Sequence, residues 1–454
     1  MEIFRNDNIA AISTGGGTSA IAIIRCSGDS VIEDVSGIFK PKNSNLLLSD
    51  IKGYHQIYGY IFENETIIDD VIISVYKAPH SFTGEDSVEI SCHGSVYIQQ
   101  KIMQLLLSVG IQPAHAGEFT MRAFANGKFD LAQAEAIADL IDSQSEASHN
   151  VAMKHLKGNY SNKIQLLREE FINFASLLEL ELDFAEEDVE FADREKFIKL
   201  IDSIESEIDL LIESYKIGKV LKSGIPVAIV GKPNVGKSTL LNYLLEEDKA
   251  IISSVPGTTR DIIEDTITIN GYLFRFIDTA GIRHSENEVE NLGIERTFKK
   301  IEEASIVLYI TDNEGFTKED KIRIQQMTDE NKNVIKIKNK IDLNTDSDVY
   351  FPDIIGISAK NQFNTQEVVN ALLEEVEKYH IKDNSIVTSA RHLNALMLTK
   401  EDLRSIREGF ESQIPTDLIT IDVRNALQNL GEITGEITTD DLLGNIFGKF
   451  CIGK

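Results

Sequence analysis

Gly231-Lys232-Pro233-Asn234-Val235-Gly236-Lys237-Ser238 carries the spacing G-x-x-x-x-G-K-[ST]. Glycines at the two ends let a backbone wrap closely around phosphate oxygens, with successive N–H groups aimed at the negative charge. The lysine of such a loop reaches the β- and γ-phosphates, and the following hydroxyl holds Mg²⁺. Here those residues are Lys237 and Ser238. Asn234, Val235, Gly236 and Thr239 complete the expected phosphate-binding set. A glycine turn that happens to precede a helix is the bland alternative, and the segments downstream decide against it.

Leu273-Phe274-Arg275-Phe276-Ile277 has the composition of a strand and ends in Asp278-Thr279-Ala280-Gly281. An aspartate at a strand's carboxyl end can hold the water shell of Mg²⁺, and a following glycine N–H can sense the γ-phosphate. Between the two motifs, Gly257-Thr258-Thr259-Arg260 offers Thr259 as a second hydroxyl for the metal. Val334-Ile335-Lys336-Ile337-Lys338 then leads to Asn339-Lys340-Ile341-Asp342. The Asp342 carboxylate can accept from N1 and N2 of guanine, donors that adenine lacks. Ser358-Ala359-Lys360 follows a further apolar stretch, where the guanine O6 would be met. This ordered set resembles the translation-factor class of GTPases, so the expected ligand is GTP.

These loops need a scaffold. Val227-Ala228-Ile229-Val230 reads as the strand entering the phosphate loop, and Thr239–Leu245 as the helix leaving it. Upstream, residues 8 to about 117 read as mixed α and β: strands at 9–12 and 20–24 around Ser13-Thr14-Gly15-Gly16-Gly17-Thr18-Ser19, a hairpin of 57–62 with 71–76 turning near Asn64-Glu65, and a strand at 87–92 before a helix through Leu105. The triple glycine lacks the spacing of a phosphate loop and reads as a tight turn or the rim of a small-ligand site. From about Glu118 the period becomes helical. Leu131, Ala134, Ile137 and Ile141 share one face; Ile164, Leu167, Phe171, Phe174 and Leu178 a second; Phe197, Ile201, Ile204, Ile208 and Leu211 a third. The run Glu186-Glu187-Asp188-Val189-Glu190 reads as a solvated loop or helix start rather than a metal site. Ser223-Gly224-Ile225-Pro226 breaks the helical pattern, which resumes at Ser389–Leu396.

The resulting expectation is a multidomain α/β and α chain: an αβ domain over 1–118, a long-helix domain over 119–221 and 381–454, and a Ras-like P-loop domain over 222–380 inserted into it. At 454 residues the chain has the length for about three domains of ~150 residues. The net charge of −28 excludes a broad electrostatic grip on nucleic acid, so RNA contacts must be local or shared with a partner. Met1-Glu2-Ile3-Phe4-Arg5-Asn6-Asp7 lacks the basic and apolar regions of a signal peptide, and no apolar run approaches the ~20 residues of a membrane span. Three scattered cysteines, Cys26, Cys92 and Cys451, suit reduced thiols in a cytoplasm and have no zinc-ligand spacing.

Several further segments sit in the same order: Ser81-Phe82-Thr83-Gly84-Glu85-Asp86, His93-Gly94, Lys128-Phe129-Asp130-Leu131-Ala132-Gln133-Ala134-Glu135-Ala136, Gly257-Thr258-Thr259-Arg260-Asp261, Gly293-Ile294-Glu295-Arg296 and the closing Cys451-Ile452-Gly453-Lys454. With the inserted P-loop domain, they make the whole chain resemble the MnmE (TrmE) family of tRNA-modification GTPases. The resemblance implies a tetrahydrofolate derivative, in the 5-formyl or methylene form, bound by Arg25, Glu89, Lys128 and Lys454. It also implies a homodimer, a heterotetramer with the FAD-dependent partner MnmG (GidA), and an aminomethyl-type group installed on carbon 5 of the wobble uridine of certain tRNAs. The family usually has a Pro-Pro-Gly-Arg-Gly-Gly-like turn where this chain has Thr14–Ser19, a departure at the rim of the folate site.

The residue after Asp278-x-x-Gly281 is Ile282, which is unable to orient a water as the glutamine of Ras-like enzymes does. Glu290, in Glu288-Val289-Glu290-Asn291, is the candidate substitute, indicated also by the family. No arginine finger is evident. The resemblance implies K⁺ instead, held by Asn234, Ser253, Val255 and Thr258, with Ser254, Pro256 and Gly257 completing that GTP-contacting loop. Cys451 would lie near the one-carbon unit, as a nucleophilic thiolate or as a packing residue. Its tail, apolar at Ile446, Phe447, Phe450 and Ile452, is expected to pack against the protein. A ribosome-assembly GTPase of the Era or EngA kind is the alternative, but it needs a basic RNA-binding segment or a second P-loop that this sequence lacks. A scaffold that only binds GTP is disfavoured by an intact Lys237, Ser238, Thr259 and Asp278.

Overall fold

The computed structural model describes residues 7–42, 47–183, 194–248, 265–277, 302–330, 332–343, 353–378 and 385–453. The chain forms two compact units. One takes in residues 1–138, 156–198 and 398–454, and the other takes in 139–155 and 199–397.

The first unit opens with β1 (Ile9–Ile12), β2 (Ile21–Ser27), α1 (Val31–Ser36), β3 (Phe39–Pro41), β4 (His55–Glu63), β5 (Thr66–Tyr76), β6 (Ser87–His93), α2 (Val96–Ser108), β7 (Gln112–Pro113) and α3 (Glu118–Ala125). The strands make one sheet in the order β3-β4-β5-β6-β2-β1-β7. Alternation along β2 explains its two faces. Ala22, Ile24 and Cys26 are buried in a core with Val31, Ile32, Ile73, Ile90, Ile102 and Leu106, while Ile23 and Arg25 stand half-exposed on the opposite side. The hairpin β4–β5 turns at Asn64, whose φ of 54° suits an asparagine better than a branched residue.

The helices α4 (Leu131–Asp142), α5 (Glu146–Leu156), α6 (Asn159–Asp183) and α7 (Arg194–Ser223) follow, and α11 (Ala390–Glu411), α12 (Thr416–Thr434) and α13 (Asp440–Phe447) close the chain. Within the first unit α6 packs on α12, and its Phe174 meets Phe410 of α11 edge-on at 6.1 Å. Ile164, Leu167, Phe171, Phe174 and Leu178 are buried as their spacing requires, and so are Ile201, Ile204, Ile208 and Leu211 of α7. The face proposed for α4 holds only in part. Leu131 and Ala134 are buried, but Ile137 is half-buried and Ile141 is 41% exposed. The tail helix α13 covers Leu131 and Ala134 through Leu443, Ile446 and Phe447, a layer that reaches only the first turns of α4.

The second unit holds β8 (Ile225–Val230), α8 (Lys237–Asp248), β9 (Asp265–Ile269), β10 (Tyr272–Phe276), β11 (Ile306–Thr311), α9 (Lys318–Asp329), β12 (Asn333–Lys338), β13 (Ile355–Gly356) and α10 (Gln366–Glu377). Its sheet runs β13-β12-β11-β8-β10-β9, parallel throughout except for β9 against β10. Every residue of β8 and β11 is buried, the signature of central strands covered on both faces. Their carboxyl ends lie side by side, where an open α/β sheet forms its ligand crevice.

Candidate nucleotide site and amino-terminal ligand site

The phosphate loop leaves β8 at Gly231 and enters α8 at Lys237. Two positions fix its course. Asn234 has φ 60°, the left-handed region that asparagine tolerates. Gly236 has φ 101°, and a Cβ there would fall 2.1 Å from the Asn339 side-chain nitrogen, so only glycine fits. The Lys237 ammonium donates to the carbonyls of Gly231 and Lys232, both at 2.8 Å, and so ties the start of the loop to the first turn of α8. Ser238 and Thr239 are exposed at that helix N-terminus, where backbone N–H groups and the helix dipole favour phosphate. A hydroxyl there beside a lysine is a donor set that fits a triphosphate with Mg²⁺.

Asn339 links this loop to the base-recognition segment. The residue is 3% exposed, and its amide donates to the Val235 carbonyl at 2.8 Å. Its Oδ1 accepts from Lys340 N at 2.8 Å and from Ala359 N at 2.9 Å. One side chain therefore holds together three segments that the sequence marks separately. Asp342 stands exposed on the short turn Ile341–Leu343. Ser358 is fully buried, paired through its backbone to Phe363, and its Oγ accepts from Asn361 N. Lys360 is exposed. Of the remaining expected nucleotide and metal residues, Ser253, Ser254, Val255, Pro256, Gly257, Thr258, Thr259, Asp278, Thr279, Ala280, Gly281 and Glu290 lie outside the described residues, as does the acidic run 186–190.

In the first unit, Arg25 and Glu89 face each other across β2 and β6 in register. The Nε and Nη2 of Arg25 both reach Glu89 Oε1 at 2.9 Å, with each side chain 22% exposed. The guanidinium lies 5.1 Å from the ring centre of Phe82 and 5.8 Å from that of Phe119. Phe82 in turn packs on Phe129, at 6.0 Å between centroids. Beside Phe129, Lys128 donates to the Pro79 carbonyl at 2.9 Å. Arg25 and its partner Glu89 thus lie at one aromatic group, and Lys128 is the chain neighbour of one of its rings. Burial first, and then the Glu89 carboxylate, push the Tyr76 phenol above its ordinary value, keeping it a proton donor beside this pair. A cation, a carboxylate and phenyl faces fit a flat ring that carries an amino group and a carboxylate tail, as a pterin with its glutamate does.

The carboxyl tail comes to the same region. Cys451 O accepts from Gly117 N, Ile452 bridges Ala116, and Ser13 Oγ donates to Gly453 O at 3.0 Å. Gly453 has φ 95°, and an added Cβ would stand 2.6 Å from the Ile12 carbonyl. Ile446, Phe447 and Phe450 are buried, but Ile452, expected to pack, is 65% exposed: its backbone makes the bridge and its side chain points away. Cys451 is exposed too, and Lys454 lies outside the described residues. The other two thiols are inert, since burial raises Cys26 far above the usual range and Cys92 to about 11. Phe82 and Phe119 are the site residues that sequence reasoning missed. Ser81–Asp86 stood out as a motif, but nothing in its spacing says that Phe82 stacks on a cation.

The family model for "GTP-binding protein TrmE N-terminus" matches residues 8–128, and that for "MnmE helical domain" matches 131–451. The tRNA modification GTPase MnmE of Flavobacterium johnsoniae is 47% identical over 468 residues, covering 100% of both chains. This chain belongs to the MnmE family of tRNA modification GTPases. The MnmE proteins of Christiangramia forsetii and Bacteroides fragilis are 48% and 46% identical, each alignment covering 99% of both chains. MnmE-family membership makes the chain a GTPase with a P-loop domain, and the Lys237 and Asn339 contacts are the parts of that P-loop scaffold present among the described residues. No helix among the described residues is long and apolar enough to cross a membrane.

Proposed function

We propose that this chain hydrolyses GTP to support modification of the wobble uridine of certain tRNAs at carbon 5, in the cytoplasm. It does so as a homodimer joined to an FAD-dependent MnmG (GidA) partner in a heterotetramer. The observation that carries the reading is the meeting of sequence-distant parts at Arg25: its partner Glu89 and the rings of Phe82 and Phe119, with the tail at Cys451–Gly453 held on Gly117, at the start of Phe119's helix. A GTPase that only switched or bound RNA would have no use for such a site. Arg25 and Lys128 suit the carboxylates of a folate tail, Glu89 suits the pterin amino group, and Lys454 follows directly on the placed tail. A tetrahydrofolate derivative bound there supplies a one-carbon unit, in the 5-formyl or methylene form. Cys451 stands exposed where the tail meets the sheet, accessible to that unit.

In the GTPase domain, Lys237 holds the β- and γ-phosphates and Asp342 selects guanine. Ser238 and Thr259 would bind Mg²⁺, which neutralises the phosphate charge when present. Asn234, Ser253, Val255 and Thr258 would bind K⁺ in the place an arginine finger takes elsewhere, a position worth ~10³–10⁵-fold in rate. Glu290 positions the attacking water. Pairing of two GTPase domains completes this cation site, while the homodimer itself is held through the amino-terminal domains.

The test is reconstitution: purified chain, the FAD-dependent partner, GTP, K⁺ and an unmodified tRNA are combined with folate labelled in its one-carbon unit. Label in the wobble nucleoside, dependent on GTP, is the expected result. Label absent from tRNA under conditions of active GTP turnover would refute the reading.

A further inference from the structure

The Arg25–Glu89 pair comes from the sheet, but the rings that enclose it come from elsewhere. Phe82 sits in the loop between β5 and β6, and Phe119 sits on α3. Phe119 and Arg122 lie at i and i+3 on the face of α3 turned toward that loop, and Asn126 follows at the residue that ends the helix. Two cross-links join the surfaces along this face. Asn126 donates to the Thr83 carbonyl at 2.8 Å. Arg122 Nη1 donates to both Glu85 Oε1 and Oε2 at 3.3 and 3.2 Å, and its Nη2 donates to Glu118 Oε1 at 2.8 Å.

Arg122 is buried, with a side chain only 6% exposed, and these two carboxylates compensate its charge. Glu85 extends the network to the sheet by accepting from Ser27 Oγ at 2.8 Å. Ser27 lies two residues beyond Arg25 on β2, on the same face. One guanidinium therefore fixes the spacing among the loop that carries Phe82, the helix that carries Phe119 and the strand that carries Arg25. The separation of the two rings is what keeps the Arg25 guanidinium stacked and partly dried, and a stacked cation between aromatic faces binds an anion at fixed orientation.

We infer that Arg122 is a positioning residue for the amino-terminal site: it holds Phe82 and Phe119 against Arg25 and so sets the affinity for a flat, carboxylate-bearing ligand. The inference rests on the folate reading proposed above. Lysine in place of Arg122 keeps the charge but loses the fork, because an ammonium is a point charge that does not hold two carboxylates in one plane. Phe119→Leu keeps apolar bulk in the core of Ile9, Ala11 and Ala114 while removing the aromatic face.

The experiment measures 5-formyltetrahydrofolate binding by calorimetry to the full-length wild type, Arg122→Lys, Phe119→Leu and the double variant, with thermal melting and GTP turnover recorded on the same preparations. Arg122→Lys is expected to weaken binding about tenfold, the size of a lost desolvated cation–π contact, with GTP turnover unchanged. Because Arg122 acts in part through the Phe119 ring, its substitution should cost less in the Phe119→Leu background than in the wild type, whereas independent sites would add in full. Unchanged affinity in Arg122→Lys, or losses that simply add in the double variant, would overturn the positioning role while leaving the folate reading intact. A wild-type chain that does not bind 5-formyltetrahydrofolate would overturn both.

Discussion

The Asn339 amide donates to the main-chain carbonyl of Val235 at 2.8 Å, joining two positions 104 residues apart. Val235 lies in the phosphate loop, and Asn339 opens the segment proposed to read the base. One buried amide therefore ties the phosphate loop to that segment.

Asn339→Ala leaves the buried Val235 carbonyl and Ala359 N–H without their partner, at a cost of ~1–3 kcal/mol for each group. That cost falls on the two loops themselves, so the melting temperature and the affinity for a fluorescent GTP analogue should both fall; if both are unaltered, the bond is incidental. Asp342→Asn should instead shift preference from guanosine to xanthosine nucleotides, and equal turnover of ATP and GTP by the wild type would remove Asp342 from its role.

Hydrolysis should be faster in K⁺ than in Na⁺ at equal ionic strength. The test residue is Asn234, but its φ of 60° means that alanine there adds backbone strain of ~1–2 kcal/mol. Asn234→Gly is the cleaner variant, since it keeps the loop conformation and removes only the side chain. It should abolish the K⁺ advantage; a K⁺ advantage that persists would refute the cation site. Glu290→Ala should slow turnover with GTP affinity intact, and a matching loss of affinity would make Glu290 structural.

The tail prediction concerns Gly453. With φ 95° and the Ile12 carbonyl 2.6 Å from an added Cβ, alanine at this position should dislodge the last residues. Gly453→Ala and removal of residues 451–454 should both abolish tRNA modification yet spare GTP hydrolysis. Cys451→Ser separates chemistry from packing: activity retained leaves Cys451 a packing residue, and activity lost with folate binding intact gives the thiol a chemical role. Modification at wild-type level in Gly453→Ala would contradict the seating of the tail.

His93 provides a pH-dependent test of the amino-terminal sheet. Its Nδ1 and its own backbone N–H both pair with the buried Asp69 carboxylate at 2.8 Å. The hydrogen bond to Asp69, and then its charge, hold the imidazole above its ordinary pKa. A raised folded-state value means the stabilising pair is fully present below the unfolded pKa of about 6.5 and is lost as pH rises through the folded value. Proton NMR should show His93 titrating above 6.5, and Asp69→Asn should return it toward that value. Titration unmoved by the substitution would show that Asp69 does not hold the proton.

Much of this was legible beforehand because the decisive signals are local. The P-loop spacing, the apolar run of β8, the alternation of β6 and the periods of α6 and α7 each follow from residues within a single element. Ile141 and Ile452 misled because an apolar residue in register is buried only where something covers it. The layer of α13 ends before Ile141, and Ile452 spends its backbone on a bridge while its side chain faces out. The Phe82–Arg25–Phe119 stack and the Asn339–Val235 bond were illegible for a different reason. Each joins residues dozens of positions apart, which no spacing rule connects.

The most direct test of the account is the wobble-nucleoside profile of tRNA from cells lacking this chain, compared with cells complemented by the wild type or by Lys237→Ala. The carbon-5 aminomethyl-type uridines should disappear on deletion, return with the wild type and stay absent with Lys237→Ala. A deletion strain whose wobble uridines carry their full modification would contradict it.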